Sequence, residues 1–177
     1  LSHTAKTIRK NLRTLCEALG TSYDPSPDET QAEAALERAK EMLGETEIAI
    51  DYTATPAPMS LARCLLEHGF RVTRIYADSI AAGDQEDFCW LQEHAPDIEL
   101  YATVQVKLRV LPRETQKPTL AIGQKAAYFT GTRHFVNIVE GGGMYGFDGL
   151  RRLAELMEEA HRTERDARDF IQQKGLG

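Results

Sequence analysis

The chain has 177 residues, of which 42% are hydrophobic, 27% charged and 7% aromatic, and its 21 basic and 27 acidic side chains leave a formal charge of -6. That composition belongs to a folded domain and excludes collagen, coiled-coil and disordered classes; a chain of this length buries roughly 70% of its unfolded surface and needs no metal or disulfide staple. The acidic balance, without a clustered Lys/Arg patch, excludes a dedicated nucleic-acid or anionic-membrane binder, and no apolar run approaches the ~20 residues that cross a bilayer.

In chain order, Ile8, Leu12, Leu15, Cys16 and Leu19 recur at helical spacing, with Lys6, Arg9, Lys10 and Arg13 on the other face and Gly20 as a C-terminal stop. Asp24-Pro25-Ser26-Pro27-Asp28 reads as a turn, and a second helix runs from about Glu29, with Ala32, Ala35, Leu36, Ala39 and Leu43 on one face and Gly44 at its end. Residues 1–44 thus form a helical segment that packs on the remainder, 45–177. From Glu47 the pattern changes. Ile48–Tyr52 is a strand, Pro58–His68 a helix stopped by Gly69, and Phe70–Tyr76 a second strand, which together make a right-handed βαβ unit.

A second unit follows, with a helix over Asp84–His94, a stop at Pro96-Asp97 and a strand over Ile98–Tyr101. Val104–Leu111 alternates as a further strand would, and Thr119–Ile122 and Ala126–Phe129 are two short apolar runs. A glycine-rich loop, Gly141-Gly142-Gly143-Met144-Tyr145-Gly146, sits between Glu140 and Asp148, and one long helix runs from about Asp148 to Gln173 with Gly175 as its cap. The expected fold is α/β, a three-layer, doubly wound, mostly parallel sheet with flanking N- and C-terminal helices.

Ligands of such sheets bind beyond the carboxyl ends of the strands. Three loops qualify. In Asp51–Pro58, the Thr53 and Thr55 hydroxyls and the free N–H groups of the helix start can hold an anion, or Thr55 or Ser60 simply caps the helix. In Phe129–His134, read as following a strand, Gly131, Arg133 and His134 can bind an anion or a metal, or His134 is a structural residue. Gly141, Gly142 and Gly143 pack closely against a ligand or against the chain's own sheet.

No glycine-rich phosphate fingerprint is present, so a standard dinucleotide or P-loop site is disfavoured. Ser60 has no local base and the carboxylates no pairing, so the residues define no catalytic set. Cys16, Cys64 and Cys89 are widely spaced, odd in number and without CxxC, which fits reduced thiols better than a disulfide or zinc framework. A cytoplasmic protein is expected, and Leu1 in place of Met suggests a piece of a longer chain.

The order of motifs carries a resemblance. The turn after the first strand, Glu67-His68-Gly69-Phe70-Arg71-Val72, Pro96-Asp97 and above all Gly143-Met144-Tyr145-Gly146-Phe147-Asp148-Gly149 resemble the C-terminal Rossmann-like domain of nitrogenase component-one subunits. That superfamily includes catalytic molybdenum-iron subunits, cofactor-assembly scaffolds and dark-operative protochlorophyllide reductase subunits. The resemblance covers roughly residues 45–160 here and the terminal third of such subunits.

It implies a multi-electron reductase or metallocluster-assembly scaffold, with a homologous partner subunit, an ATP-dependent iron-protein reductase and an iron-sulfur-based cluster in the full complex. No cluster is expected on this segment alone. The family's cofactor-ligating His maps to His134 when counted forward from Gln124-Lys125, and to Asn137 when counted back from Gly143. Where the family's first turn carries paired glycines and an arginine, this chain has Ala54-Thr55 and Ala57. The resemblance leads to one cleft lined by Thr53, Thr55, His134 and Gly141–Gly143, which requires His134 within ~12 Å of the Thr53 loop. The alternative is a non-enzymatic subunit-assembly or small-ligand-binding α/β module, a sensor among them.

Overall fold

The computed structural model describes residues 3–110, 117–139 and 141–173. Leu1, Leu111, Glu140 and Gly175, which the sequence reading invoked, lie outside them. Two helices open the described chain, α1 (Ala5–Leu19) and α2 (Ser26–Leu43). Strands β1 (Glu47–Asp51), β2 (Arg71–Ala77) and β3 (Glu99–Ala102) follow, with α3 (Pro58–Glu67) and α4 (Gln85–His94) as their crossovers. Then come β4 (Thr119–Ile122), α5 (Gln124–Thr130), β5 (His134–Val136), α6 (Gly146–Arg162) and α7 (Ala167–Gln173).

The five strands lie in the order β3-β2-β1-β4-β5, and every pairing among them is parallel. The chain therefore moves outward from β1 in one direction, returns, and moves outward from β4 in the other. This is a doubly wound, Rossmann-like α/β sheet.

Alternation along the strands sorts side chains onto two faces. Ile48, Ile50, Ile75, Leu120, Ile122 and Val136 join α3, α4, α6 and α2 in the main core. Ala49, Tyr76, Ala121 and Phe135 face the opposite way and are covered by Ala126 and Ala127 of α5, Leu108 and Ala167 of α7. The central strands β1 and β4 are buried on both faces, which is why Ile48–Ile50 and Leu120–Ile122 are unbroken apolar runs. α2 contributes Ala35, Leu36 and Ala39, all fully buried, to the same core as the sheet. α1 is held less extensively. Ile8 is its one buried residue, and Leu15 and Leu19 on the same stripe are 54% and 68% exposed.

Several local expectations need correction. α2 begins at Ser26 rather than near Glu29, because Pro27 falls in the first turn, where its missing N–H has no helical partner to lose. The alternating run from Val104 is not a strand; Val106–Arg109 is a 3-10 turn in which Leu108 is buried and Val106 exposed. The run Ala126–Phe129 is helical, since Ala126, Ala127 and Thr130 are spaced to bury one face of α5 against the sheet. The single closing helix is two, α6 and α7, separated at 163–166. α6 packs on the main core and α7 on the opposite face, so the chain must turn around the amino end of β5; there the Arg165 N–H donates to the Arg133 carbonyl at 2.8 Å. Among the described residues no helix is long and apolar enough to cross a membrane.

β1 carries an acid at each end. Glu47, 4% exposed, is surrounded at the amino end by Arg71, Arg74 and Lys117 at 3.3–3.6 Å. Asp51, fully buried at the carboxyl end, faces Gly123, whose φ of 108° and lack of Cβ let the β4–α5 turn close over the carboxylate. A Cβ there would stand 2.2 Å from Asp51 Oδ2. Gly123→Ala is therefore expected to lower the unfolding free energy by about 2–4 kcal/mol, read from urea denaturation. A loss under about 0.5 kcal/mol, the range of neutral surface changes, would refute the close-approach account.

Candidate functional site

The sheet reverses direction between β1 and β4, and the crevice beyond their carboxyl ends is where open α/β sheets take ligands. Asp51 organises it. Its Oδ1 accepts the backbone N–H of Thr53 at 2.8 Å and of Ala54 at 3.2 Å, and the Thr53 hydroxyl bonds to the same oxygen. Oδ2 accepts the N–H of Ala126 at 2.7 Å. Burial pushes this carboxyl's pKa up, and the four donors pull it back toward the charged form. Beside it, the Lys125 ammonium bonds to the Tyr52 hydroxyl and sits 4.1 Å from that ring's centre. Thr53 is thus committed to shaping the turn.

Thr55 is also engaged. Its hydroxyl oxygen accepts the Ala57 N–H at 3.2 Å and bonds to His3 Nε2 at 2.9 Å, while the His3 backbone N–H donates to Ser60 Oγ at 2.9 Å. The segment before α1 therefore lies across the start of α3. Gly141, Gly142 and Gly143 all have positive φ, and the Gly141 N–H donates to the Ala54 carbonyl at 2.9 Å. Gly149 explains the last residue of the tail motif: a Cβ on it would stand 2.3 Å from the backbone carbon of Met144, so the loop can fold over α6 only if position 149 is bare. His3, Thr55, Gly141 and Tyr145 close on a space of about 20 Å³, room for about one water. Burial lowers the His3 pKa to about 4.

Gly131, Arg133 and His134 are elsewhere. The segment at 129–134 runs from the end of α5 into the start of β5, so it lies at the amino edge of the sheet. Register pairs His134 with Leu120 and Leu120 with Ile48, two strands away from β1 and level with a residue five positions before Thr53. Asp51, where β1 ends and the Thr53 turn begins, lies three strand residues beyond Ile48, so at about 4.8 Å between strands and about 3.3 Å per strand residue its backbone is about 14 Å from that of His134. The single cleft joining Thr53, Thr55, His134 and Gly141–Gly143 is therefore two places: Thr53, Thr55 and the glycine loop at the carboxyl edge, and Gly131, Arg133 and His134 at the amino edge.

His134 Nδ1 donates to the Ala160 carbonyl at 3.0 Å, tying β5 to the end of α6. Of the two positions reached by counting from the resemblance, only Asn137 lies beyond the carboxyl end of β5, and it accepts a hydrogen bond from Gln124 Nε2 at 2.7 Å.

The carboxyl-edge crevice does not fit an iron-sulfur cluster held by this chain. Its polar groups are the Asp51 carboxylate, the Lys125 ammonium, hydroxyls, an imidazole, amides and main chain, whereas such clusters take thiolates. Cys64 faces the interior beside Ala32 and Phe147, with its pKa pushed up to about 12 by burial, and Cys16 and Cys89 belong to other surfaces. Among the described residues no three His, Cys, Asp or Glu side chains converge as metal ligands would.

Sequence reasoning passed over His3, Asp51's role and the pair Asp166 and Arg168 near Arg133. A lone acid ending an apolar strand was the available signal for Asp51. The other two depend on chain reversals with no local mark.

The fold and crevice define a class, the three-layer α/β domain of Rossmann type, built with a self-closed switch point. Within that class, the chain has the nitrogenase-like fold: a solved structure of nitrogenase Cp1 at pH 6.5 superimposes with a TM-score of 0.60, covering 94% of this chain at 15% identity. The chain spans 38% of that neighbour's length. No family model matches the sequence, and no curated protein does.

Two outcomes follow from this geometry. Asp51→Asn, nearly isosteric, turns one acceptor into a donor facing an N–H group, and is expected to cost about 2–4 kcal/mol in urea unfolding; a neutral substitution would refute the donor arrangement. His3 binds its proton less readily when folded than when unfolded, so its contribution to stability is complete above pH 6.5 and is lost as pH falls toward about 4. The thermal midpoint should decline over that window, with a shallower decline in His3→Asn. Superimposable pH curves would show that His3 is not held in the crevice.

Proposed function

We propose that this chain is the C-terminal α/β domain of a nitrogenase component-one-like subunit, part of a multi-electron reductase or a metallocluster-assembly scaffold. The observation that carries the reading is the extent of the fold likeness, which spans 94% of the chain and includes helices at both ends of the sheet. The tail motif adds weight, since Gly143, Gly146 and Gly149 occupy positions that favour glycine where the loop enters α6. In this role the domain supplies shape, a preorganised switch point and packing surface, and the cluster ligands come from outside these 177 residues. The complex would include a homologous partner subunit and an ATP-dependent iron-protein reductase, in the cytoplasm.

A second reading, a non-enzymatic assembly module, is favoured by one specific observation. The crevice is filled by the chain's own His3 and glycine loop, while Leu15 and Leu19 on α1 lie open to other surfaces. Metal analysis separates the two. Anaerobic reconstitution of the chain alone with iron and sulfide is expected to leave it without a stable cluster, because its cysteines are scattered. The complex purified anaerobically around the tagged chain is expected to contain iron and acid-labile sulfide. A complex devoid of both would replace the redox reading with the assembly module, and a stoichiometric cluster on the isolated chain would overturn the division of labour.

A further inference from the structure

The amino edge of the sheet holds a groove that the nitrogenase-like reading does not use. It lies between the end of α5 and the start of α7, encloses about 420 Å³, and is bordered by Ala127, Tyr128, Gly131, Arg133, Asp166 and Arg168. That volume is within the range of small-ligand sites, and about twenty times the space left in the carboxyl-edge crevice.

Its charges come from two chain segments about thirty residues apart, brought together by the turn at 163–166. Asp166 Oδ1 accepts the Arg168 backbone N–H at 2.9 Å and its Nε at 3.1 Å, and Oδ2 accepts Nη2 at 2.8 Å. This is a guanidinium fork already closed on an oxyanion. Arg168, first, and Arg133 also hold the Asp166 carboxyl at about 2, so both cations act on that one acid. Arg133 pairs with Glu164 at 3.4 Å. Both acids reach solvent, the Glu164 side chain 58% exposed and that of Asp166 32%, so a solute can approach both ion pairs. The surrounding frame is fixed, since the Arg165 N–H binds the Arg133 carbonyl and the Thr132 hydroxyl donates to the Thr119 carbonyl at 2.5 Å.

We propose that this groove binds a phosphate monoester, with the phosphate taken by Arg133 and Arg168 in place of Asp166 and Glu164, and the organic group laid against Ala127, Tyr128 and Ala167. A monocarboxylate would merely exchange one internal acid for another. A phosphate dianion has three terminal oxygens and can engage both forks at once, which gives it the advantage over the resident carboxylates. Ala127 and Ala167 are small and buried, so the floor is apolar and leaves space above it, and Tyr128 is among the residues that line it. The inference stands independently of the nitrogenase-like reading.

Calorimetric titration of the whole chain with phenyl phosphate tests it, with inorganic phosphate and benzoate as comparisons. Saturable binding of phenyl phosphate is expected, weakened by salt and at least about tenfold tighter than benzoate, the ratio that 1.4 kcal/mol provides. Asp166→Asn keeps a side-chain oxygen for the Arg168 N–H but removes the competing charge, and should tighten binding. Arg168→Met or Arg133→Met should abolish it, with circular dichroism confirming the fold of each. No saturable binding to wild type or Asp166→Asn, or undiminished binding to a correctly folded arginine variant, overturns the site; equal affinity for benzoate overturns the phosphate assignment.

Discussion

The buried Asp51 carboxylate sets the carboxyl edge of this molecule. A charged group with no solvent exposure is tolerable only when its lone pairs are occupied by donors, and Asp51 draws them from two chain segments: Thr53 and Ala54 in its own turn, and Ala126, 75 residues later, at the start of α5. The β1 turn and the β4–α5 turn are thereby fixed to each other at the point where the sheet changes direction. Gly123 is the steric counterpart of that bond, because any side chain there would occupy the carboxylate's own position. Glu47 at the other end of the strand solves its burial with cations, and this places fixed positive charge at the amino edge without organising a turn.

With the two central turns locked, the remaining chain wraps around the sheet in a definite order. α6 returns to the face that already carries α3 and α4, and α2 packs against it from outside. The chain then rounds the amino end of β5 and lays α7 against α5 on the opposite face. That last reversal has two consequences. It covers Phe135, which would otherwise lose its second face, through the edge-on Phe170 ring. It also brings Asp166 and Arg168 beside Arg133, creating a charged groove from residues that neither segment could assemble alone.

How much of this could be read from the chain follows from the range of the forces involved. The succession β1, α3, β2, α4 was legible because each element is bounded by its own glycine or proline and carries its own period. The β4–α5 region was not, since seven residues of helix give too few turns for a period of 3.6 to separate from an apolar run. The misread helix had a larger effect than its length suggests. Reading Ala126–Phe129 as extended moved Gly131, Arg133 and His134 from the amino edge to the carboxyl edge, and so joined two places into one cleft. The break between α6 and α7 was equally hidden, because both halves keep good helical spacing, and only the need to cover the second face of the sheet separates them.

The family-like tail motif shows how a sequence signature and a ligand site can part company. Gly143, Gly146 and Gly149 are each demanded by backbone geometry in the path from β5 into α6: two lie at positive φ, and the third makes room for the loop that crosses the helix start. A chain that kept the fold and lost the ligand would still keep all three. At the carboxyl edge, meanwhile, the polar groups of the first turn bond within the chain, Thr55 to His3 and Ala54 to Gly141. The motif therefore marks the architecture, and the chemistry of any bound group must be sought in the side chains that the architecture leaves facing open space.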